Sequence, residues 1–292
     1  MRVLLTGGSG FIGRCIIEQL GGAYEILAPS HAELDVGDAG SVAAWLHRCP
    51  VDAVIHAAVR PGHRNAADPS RQLEINLRMF TNLLRCRDDW GRLLYLSSGA
   101  VYGTQGDVAR ATESAEGRVV PADEHGFSRY VLAGLARDDE RIVELRPFGV
   151  FGPHEDYAIR FISNAICKTL FDLPVTLRQD RRFSYLYVDD LMPVLAHFLE
   201  GGAAGRAYNV TPDAVESLRD LAKLVVAVSG KDLPVRVAKK GVGLEYTGDN
   251  RRLSEEIPGL RFTPTGTAVE RLYEWYAARR DAIAYERLLV DR

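Results

Sequence analysis

The sequence predicts an α/β protein in which a doubly wound parallel sheet is followed by a smaller C-terminal α/β lobe. Through the first half of the 292-residue chain, short apolar runs typical of buried parallel strands alternate with amphipathic helical segments. After Pro153 this alternation loosens, which indicates a separate lobe. A pocket between two such lobes, beyond the carboxyl ends of the strands, is where folds of this class bind ligands.

The predicted elements follow in chain order. In the first half we predict strands over residues 2–5, 25–27, 53–56, 93–96 and 142–145, and helices over 11–20, 41–48, 72–86 and 126–137. In the second half we predict strands over 174–177, 185–188 and 207–210, and helices over 158–170, 191–199, 214–228 and 268–284. Residues 1–153 with 183–212 are assigned to the sheet domain, and 154–182 with 213–292 to a substrate-binding lobe.

The glycine spacing after the first strand predicts a dinucleotide site. Gly7, Gly10 and Gly13 stand between an apolar strand and an apolar helical face. Glycine lets the chain turn sharply and brings bare backbone against a ligand. The free N–H groups and the dipole at the start of the next helix favour an anion such as a diphosphate. The doubly wound sheet is therefore predicted to be of Rossmann type.

The end of the second predicted strand bears on which dinucleotide binds. It reads Leu-Ala-Pro-Ser-His over 27–31, without the carboxylate that usually holds the adenosine ribose. That absence removes a repulsion against a 2′-phosphate, which Ser30 and His31 could bind. The sequence thus favours NADP over NAD and leaves both open, because a solvated loop histidine explains His31 equally well.

Composition argues against several classes of partner. The net charge is −3 and no run of Lys or Arg occurs, so neither nucleic acid nor a membrane surface is expected as a partner. The four cysteines lie far apart without metal or redox spacing, which predicts no metal site and a reducing, cytoplasmic location. No apolar stretch approaches the ~20 residues of a membrane span, and a strand predicted from residue 2 leaves no room for a signal peptide.

Six motifs occur in a fixed order: TGGSGFIG, LDV, HAA, SSGAVYG, LRPFGVFGP and YLYVDDL. This set resembles the extended short-chain dehydrogenase/reductase family, which includes nucleotide-sugar epimerases, dehydratases and 4-keto reductases. The resemblance covers residues 1–260 or so. AELDVGD followed by VDAVIHAA is similar in particular to the 4-keto reductases and epimerase-reductases, which tend to use NADPH.

The resemblance implies functional residues by position. Ser98 matches the family's catalytic serine, whose hydroxyl would hydrogen-bond the carbonyl or alkoxide. The cofactor would contact Gly7, Ser9, Gly10, Phe11, Ile12, Gly13, Asp35, Val36, Ala57 and Ala58, with Asp35 and Val36 at the adenine. Substrate contacts are implied at Ser98, Tyr102, Gly149, Arg182 and Arg251.

The chain departs from the family at the catalytic tyrosine and lysine, where it has His125 and Arg129. The two lie one helical turn apart, so they share a face. Arg129 would bind the nicotinamide ribose and lower the pKa of His125. Histidine titrates near ~6.5, so a rate depending on a group near ~6–7 is expected. The alternatives are an inert pair, or a replacement by Tyr130 or Tyr102.

These observations favour an NAD(P)-dependent nucleotide-sugar oxidoreductase, in its leading form a 4-keto sugar reductase in which His125 supplies the proton. Two alternatives stay open: an epimerase with tightly bound NAD, and a dinucleotide-binding protein without turnover. The resemblance also implies a homodimer, formed through the helices predicted over 72–86 and 126–137.

Overall fold

A six-stranded, fully parallel sheet forms the centre of the protein, in a computed structural model that describes residues 1–62, 70–202 and 207–290. In chain order its strands are β1 (Arg2–Thr6), β2 (Glu25–Leu27), β3 (Ala53–His56), β4 (Arg92–Leu96), β6 (Ile142–Pro147) and β11 (Ala207–Val210). Across the sheet the order is β11-β6-β4-β3-β1-β2. The order reverses direction at β1, so a crevice opens beyond the carboxyl ends of β1 and β3.

Helices cover both faces of this sheet, because successive strand residues point to opposite sides. Val3 and Leu5 face a core shared with α1 (Phe11–Leu20) and α6 (Leu191–Glu200). Leu4 faces the other core, built with α2 (Ala39–Arg48), α3 (Gln72–Arg85) and α4 (Glu124–Ala136). The predicted doubly wound α/β fold is confirmed.

The remaining elements form the C-terminal lobe and its junction with the sheet. Helices α5 (Phe161–Leu170), α7 (Leu218–Ser229) and α9 (Thr265–Ala277) pack around a third core, and α8 (Arg251–Glu256) lies against β11. Strands β8 (Val175–Asp180) and β13 (Val235–Val242) pair in parallel, as do β7 (Gly149–Phe151) and β10 (Tyr185–Tyr187). A small four-stranded sheet contains β5 (Val108–Ala111), β9 (Arg182–Phe183), β12 (Glu216–Ser217) and β14 (Tyr246–Gly248).

Elements with strong local periodicity match the prediction most closely. The helix over 11–20 and the strands over 25–27, 53–56 and 207–210 have the predicted bounds. The helix predicted over 158–170 begins only at Phe161, and that predicted over 268–284 is Thr265–Ala277. Strands β5, β7, β13 and β14 were not predicted, because each is short or polar and is defined by its pairing partner. The proposed assignment of chain segments to two lobes stays a prediction.

Within the described ranges, none of the helices has the length and apolar character needed to cross a membrane.

Candidate functional site

The glycine loop after β1 packs so closely that side chains are excluded from it. Gly7 has a φ of +77°, and a Cβ there would lie 2.7 Å from the backbone nitrogen of Ala58. A Cβ on Gly13 would lie 2.2 Å from the carbonyl oxygen of Gly7. Gly10 precedes α1 without a side-chain cap, so the first N–H groups of the helix stay available to an anion. This cradle fits a diphosphate.

The contact between Gly7 and Ala58 joins the loops that follow β1 and β3, which border the crevice described above. Thr6 Oγ1 accepts a hydrogen bond from the Ala58 N–H at 3.3 Å and lies 2.8 Å from Nδ1 of His56. Burial, with a further effect of the Arg129 charge, lowers the pKa of His56 to about 3. His56 is therefore a neutral, packed residue that holds the two loops together.

The turn after β2 supplies a carboxylate that the strand end itself lacks. The backbone N–H and the hydroxyl of Ser30 both donate to Oε2 of Glu33, each at 2.8 Å. These hydrogen bonds lower the pKa of Glu33, so it is ionised. His31 Nδ1 lies 3.8 Å from Oδ1 of Asp35. The sequence analysis expected no carboxylate near a bound ribose at this strand end. The structure differs, because the turn brings Glu33 back to Ser30.

The two residues expected at the adenine differ in accessibility. The Asp35 side chain is half-exposed, and its Oδ1 accepts the Gly37 N–H at 2.8 Å. Val36 is buried in the core, and its carbonyl accepts a hydrogen bond from Asn82 at 3.0 Å. Adenine contact from this segment is therefore expected from Asp35 more than from the Val36 side chain.

One cavity of about 420 Å³ brings together the residues expected to carry the chemistry. Ser98, His125 and Arg129 all line it, and so do Phe11 and Ile12 from the start of α1. Ser98 follows β4, while His125 and Arg129 lie in the first turns of α4, whose N-cap Asp123 accepts the Gly126 N–H at 2.8 Å. The predicted serine, histidine and arginine thus face the same space beside the glycine loop.

Two groups form hydrogen-bond contacts with the Ser98 hydroxyl. Its Oγ accepts the Ala100 N–H at 3.2 Å and lies 3.4 Å from the hydroxyl of Tyr246. Tyr246 belongs to β14, some 148 positions further along the chain, and was missed by the sequence analysis. Burial raises the pKa of Tyr246, so its hydroxyl keeps its proton. Either hydroxyl can be the donor in this contact; when Tyr246 donates, the Ser98 proton is free to point towards a ligand oxygen.

Arg129 is almost fully buried below the cavity. Its Nη1 donates to the hydroxyl of Tyr95 at 2.9 Å, and the guanidinium carbon lies 5.7 Å from the centre of that ring. Arginine carries five N–H donors and a permanent charge. The remaining donors at the cavity wall suit a ribose hydroxyl or another oxygen ligand.

His125 is neutral at physiological pH. Burial is the main cause, and Arg129 adds to it, lowering the pKa of the His125 ring to about 4. Arg160 lowers this pKa further, while Asp123 opposes the shift. The expected titration near ~6–7 is therefore wrong for the ligand-free site. The neutral ring has one N–H donor and one acceptor nitrogen, but no excess proton to transfer at pH 7.

Two residues expected to touch the substrate serve the interior instead. The Tyr102 hydroxyl donates to Asn209 Oδ1 at 2.7 Å and accepts from Arg146 Nη1 at 3.1 Å. Arg146 is fully buried and needs these partners, with Glu116 and Glu144 beside it. A Cβ on Gly149 would lie 2.4 Å from the Phe183 ring, so glycine is required there by packing. Neither residue lines the cavity.

The two arginines expected to anchor a phosphate also point elsewhere. Arg182 is exposed, with Nε 3.8 Å from Glu245 Oε2. Arg251 Nε donates to the Asp249 carboxylate at 2.9 Å, and its side chain is 75% exposed. Neither lines the cavity. The preceding residue, Arg181, lies between β8 and β9; it is partly buried, and its guanidinium carbon lies 5.1 Å from the centre of the Phe183 ring.

Arg181 lines a second cavity of about 430 Å³ in the C-terminal lobe, together with Lys168 and Arg178. Lys168 is only 3% exposed, and its Nζ donates to Thr176 Oγ1 at 2.6 Å. The segment 155–161 lies between the cavities: its Glu155 and Arg160 line the first, and its Phe161 lines the second. In the sequence, a lysine inside the apolar helix over 158–170 was the available signal for this site.

No cluster of three or more metal-ligating side chains occurs within residues 1–62, 70–202 and 207–290.

Comparison with known proteins identifies the family. The model of the NAD dependent epimerase/dehydratase family matches residues 3–211. The chain belongs to this family. Its members are oxidoreductases and epimerases of the extended short-chain dehydrogenase/reductase type, and the cofactor is a nicotinamide dinucleotide. In this chain, the glycine loop and the cavity beside it offer space for such a cofactor.

Individual relatives agree with this assignment. GDP-6-deoxy-D-mannose reductase of Pseudomonas aeruginosa is 28% identical over 80% of this chain and 82% of its own. The solved structure of RMD from Pseudomonas aeruginosa complexed with NADPH has a TM-score of 0.80 and 24% identity, over 95% of this chain and 99% of that one. dTDP-glucose 4,6-dehydratase from Bacillus anthracis, in complex with NAD, has a TM-score of 0.83 at 16% identity, over 99% of both chains.

Proposed function

We propose that this family member is an NAD(P)-dependent nucleotide-sugar oxidoreductase, and that it reduces a 4-keto sugar. The observation that carries the proposal is the shared cavity, in which Ser98, His125 and Arg129 lie beside Phe11 and Ile12 of the glycine loop. A carbonyl held there would be close both to a hydroxyl donor and to a bound dinucleotide. The named relative of Pseudomonas aeruginosa, a nucleotide-sugar reductase, supports the substrate class.

Each residue of the cavity has a separate role in this proposal, set by its chemistry. When bound, the dinucleotide supplies the hydride. Ser98, with Ala100 and Tyr246 behind its oxygen, donates its hydrogen bond to the carbonyl oxygen and stabilises the charge that develops there. Arg129 holds the ribose next to the nicotinamide through its unused N–H groups. His125, being neutral, orients the sugar by hydrogen bonding.

The second cavity provides a place for the nucleotide half of the substrate. Lys168, Arg178 and Arg181 give it cationic and hydrogen-bonding groups that suit a diphosphate. The short segment 158–161 separates this second cavity from the cavity of Ser98. A sugar diphosphate could therefore extend from one cavity to the other. In this proposal Arg181 takes the role expected for Arg182.

The test is a turnover assay with purified protein, NADPH or NADH, and a panel of 4-keto nucleotide sugars. We expect the absorbance of the reduced cofactor to fall with at least one substrate. Cofactor binding without consumption would instead support a protein without turnover. Release of bound NAD on denaturation, with interconversion of 4-epimers, would support an epimerase. Activity seen only in the double variant His125→Tyr, Arg129→Lys would show that the natural pair is inert.

We propose that Glu33 sets the balance between NADH and NADPH. A 2′-phosphate at Ser30 would meet the Glu33 carboxylate, which already accepts two hydrogen bonds from that residue. Glu33→Gln should therefore lower the KM for NADPH by about 3- to 5-fold, as expected for the loss of one repulsive charge at an exposed site. The KM for NADH should not fall.

Glu25→Gln is the matched control, because Glu25 pairs with Arg2 at the opposite end of β2. Its two KM values should match those of the wild type. An unchanged NADPH-to-NADH ratio in Glu33→Gln would disprove the role of Glu33.

We also propose a cytoplasmic homodimer, formed by α3 and α4. These helices pack side by side on one face of the sheet, and Leu135 at the end of α4 is 41% exposed. Apolar side chains on the outer face of such a pair suit a second copy of the same surface.

A further inference from the structure

The cavity of Ser98 needs a proton source that the residues discussed so far do not supply. Reduction of a carbonyl leaves an alkoxide, which must take up a proton. His125 is neutral at pH 7, and the Tyr246 hydroxyl is directed at Ser98. Among the described residues that line this cavity, Glu155 has the only carboxyl group.

Glu155 is built into the cavity wall. It follows Gly152 and Pro153, where the chain turns at His154 with a φ of +69°, and it is 6% exposed. The Ser163 hydroxyl of α5 donates to Glu155 Oε2 at 2.6 Å. The Tyr276 hydroxyl of α9 donates to its backbone carbonyl at 3.3 Å. Helix α5 therefore holds the carboxyl group of Glu155, and α9 holds its backbone, in the wall of the cavity.

The charged and titratable groups around Glu155 come from four elements besides its own loop. They are Arg160 and Asp156 in the loop, Ser163 and Cys167 on α5, Tyr185 on β10, Tyr276 on α9, and His125 with Arg129 across the cavity on α4. Burial outweighs the hydrogen bond from Ser163 and the charge of Arg160, and it raises the pKa of Glu155 to about 8. The carboxyl group is thus predominantly protonated at neutral pH.

We propose that the carboxylic acid of Glu155 donates the proton to the reduced carbonyl oxygen. Glu155 would thereby take the role that the resemblance assigns to the family's tyrosine. This inference rests on the proposed function. The carbonyl carbon gains the hydride supplied by the bound dinucleotide, and the C=O π pair moves onto oxygen. That oxygen then takes the proton from Glu155, and the resulting carboxylate regains a proton from solvent.

The experiment compares pH profiles of wild type, Glu155→Gln and Asp156→Asn with NADPH and the best substrate of the panel. Glu155 must be protonated to act, so wild-type kcat should be full below its pKa and fall as pH rises through about 8. Glu155→Gln should lower kcat by about 100-fold with little change in the two KM values, and should lose this alkaline limb. Asp156→Asn removes the adjacent carboxylate, which accepts from Arg287 at 3.2 Å; it should keep kcat and the alkaline limb, with the limb moved to lower pH because the Asp156 charge raises the pKa of Glu155.

The outcomes separate the two proposals. If the wild type reduces no substrate, the proposed function fails and this inference fails with it. If it turns over and Glu155→Gln keeps kcat within about twofold and retains the limb, only this inference is overturned. If Glu155→Gln does not fold, infrared titration of the wild type decides: a carboxylic acid band that persists at pH 7 and disappears above pH 8 supports the inference, and its absence at pH 7 overturns it.

Discussion

Replacing Gly13 by valine will abolish tight dinucleotide binding. A Cβ at this position would lie 2.2 Å from the Gly7 carbonyl oxygen and 2.7 Å from the Gly8 Cα, both backbone atoms that cannot swing aside. The glycine loop must therefore move away from the start of α1, where free N–H groups are proposed to bind the diphosphate. We expect NAD(P)H affinity to fall by at least about 100-fold, and overpacking to destabilise the fold by about 1–3 kcal/mol.

Calorimetric titration with NADPH and NADH measures this effect, and thermal unfolding measures the loss of stability. Gly266→Ala is the matched control, because no described atom lies within 4 Å of a Cβ placed there in α9. This control should bind the dinucleotide like the wild type. Wild-type affinity in Gly13→Val would contradict the assignment of the loop as the diphosphate cradle, and with it the site that depends on it.

Replacing Ser98 by alanine will lower kcat by about 100- to 1000-fold while leaving cofactor affinity unchanged. In the proposed reaction the hydroxyl is the donor to the carbonyl oxygen, and loss of one such donor costs about this much in enzymes with an oxyanion site. Tyr246→Phe should have a smaller effect in the same direction, because it removes one of the two hydrogen-bond partners of Ser98 Oγ and leaves the Ala100 N–H in place.

Ser128→Ala controls for the loss of a buried serine near the site. Ser128 precedes Arg129 on α4, is fully buried, and its hydroxyl has no hydrogen-bond partner within the part of the chain that the structure describes. It does not line the cavity, so kcat should be unchanged. A Ser98→Ala enzyme with wild-type kcat would exclude the hydroxyl from the reaction.

The proposed chemistry assigns separate tasks to His125 and Glu155. Burial keeps His125 uncharged, and the positive Arg129 and Arg160 add to this effect. An uncharged ring can orient a sugar without competing for the proton that the alkoxide needs. Burial has the opposite consequence for Glu155, because it favours the neutral, protonated carboxylic acid. The same apolar surroundings therefore deprive the histidine of its proton and leave one on the glutamate.

Several features could be predicted because they depend on residues close together in the chain. The three glycines at a strand-to-helix turn, and a histidine and arginine one turn apart, have consequences that follow from local backbone geometry. The alternation of apolar strands and helices was also sufficient for the sheet and its helical layers. Ser98, His125 and Arg129 face one cavity because parallel strands end at one edge, which the strand pattern already implied.

The sequence analysis could not identify a side chain's partner when that partner lies far along the chain or across a turn. Tyr102 carries the family's motif but is held by Arg146 and Asn209. Arg182 and Arg181 are neighbours in sequence, and only the path of the folded chain between β8 and β9 decides which of them lines a cavity. The end of β2 has no acidic residue, but the turn that follows brings the Glu33 carboxylate into contact with Ser30.

Local spacing was thus enough to predict the fold, which the structure confirms, and to propose a dinucleotide site and the residues His125 and Arg129 beside it. Tertiary packing decided their protonation states and their partners: Tyr246 behind Ser98, and Glu155 in the wall beside His125. Backbone conformation is governed by neighbouring residues, and so it can be inferred from a motif. A pKa depends on how much water and which charges surround a group, and those come from segments that meet only in the folded chain.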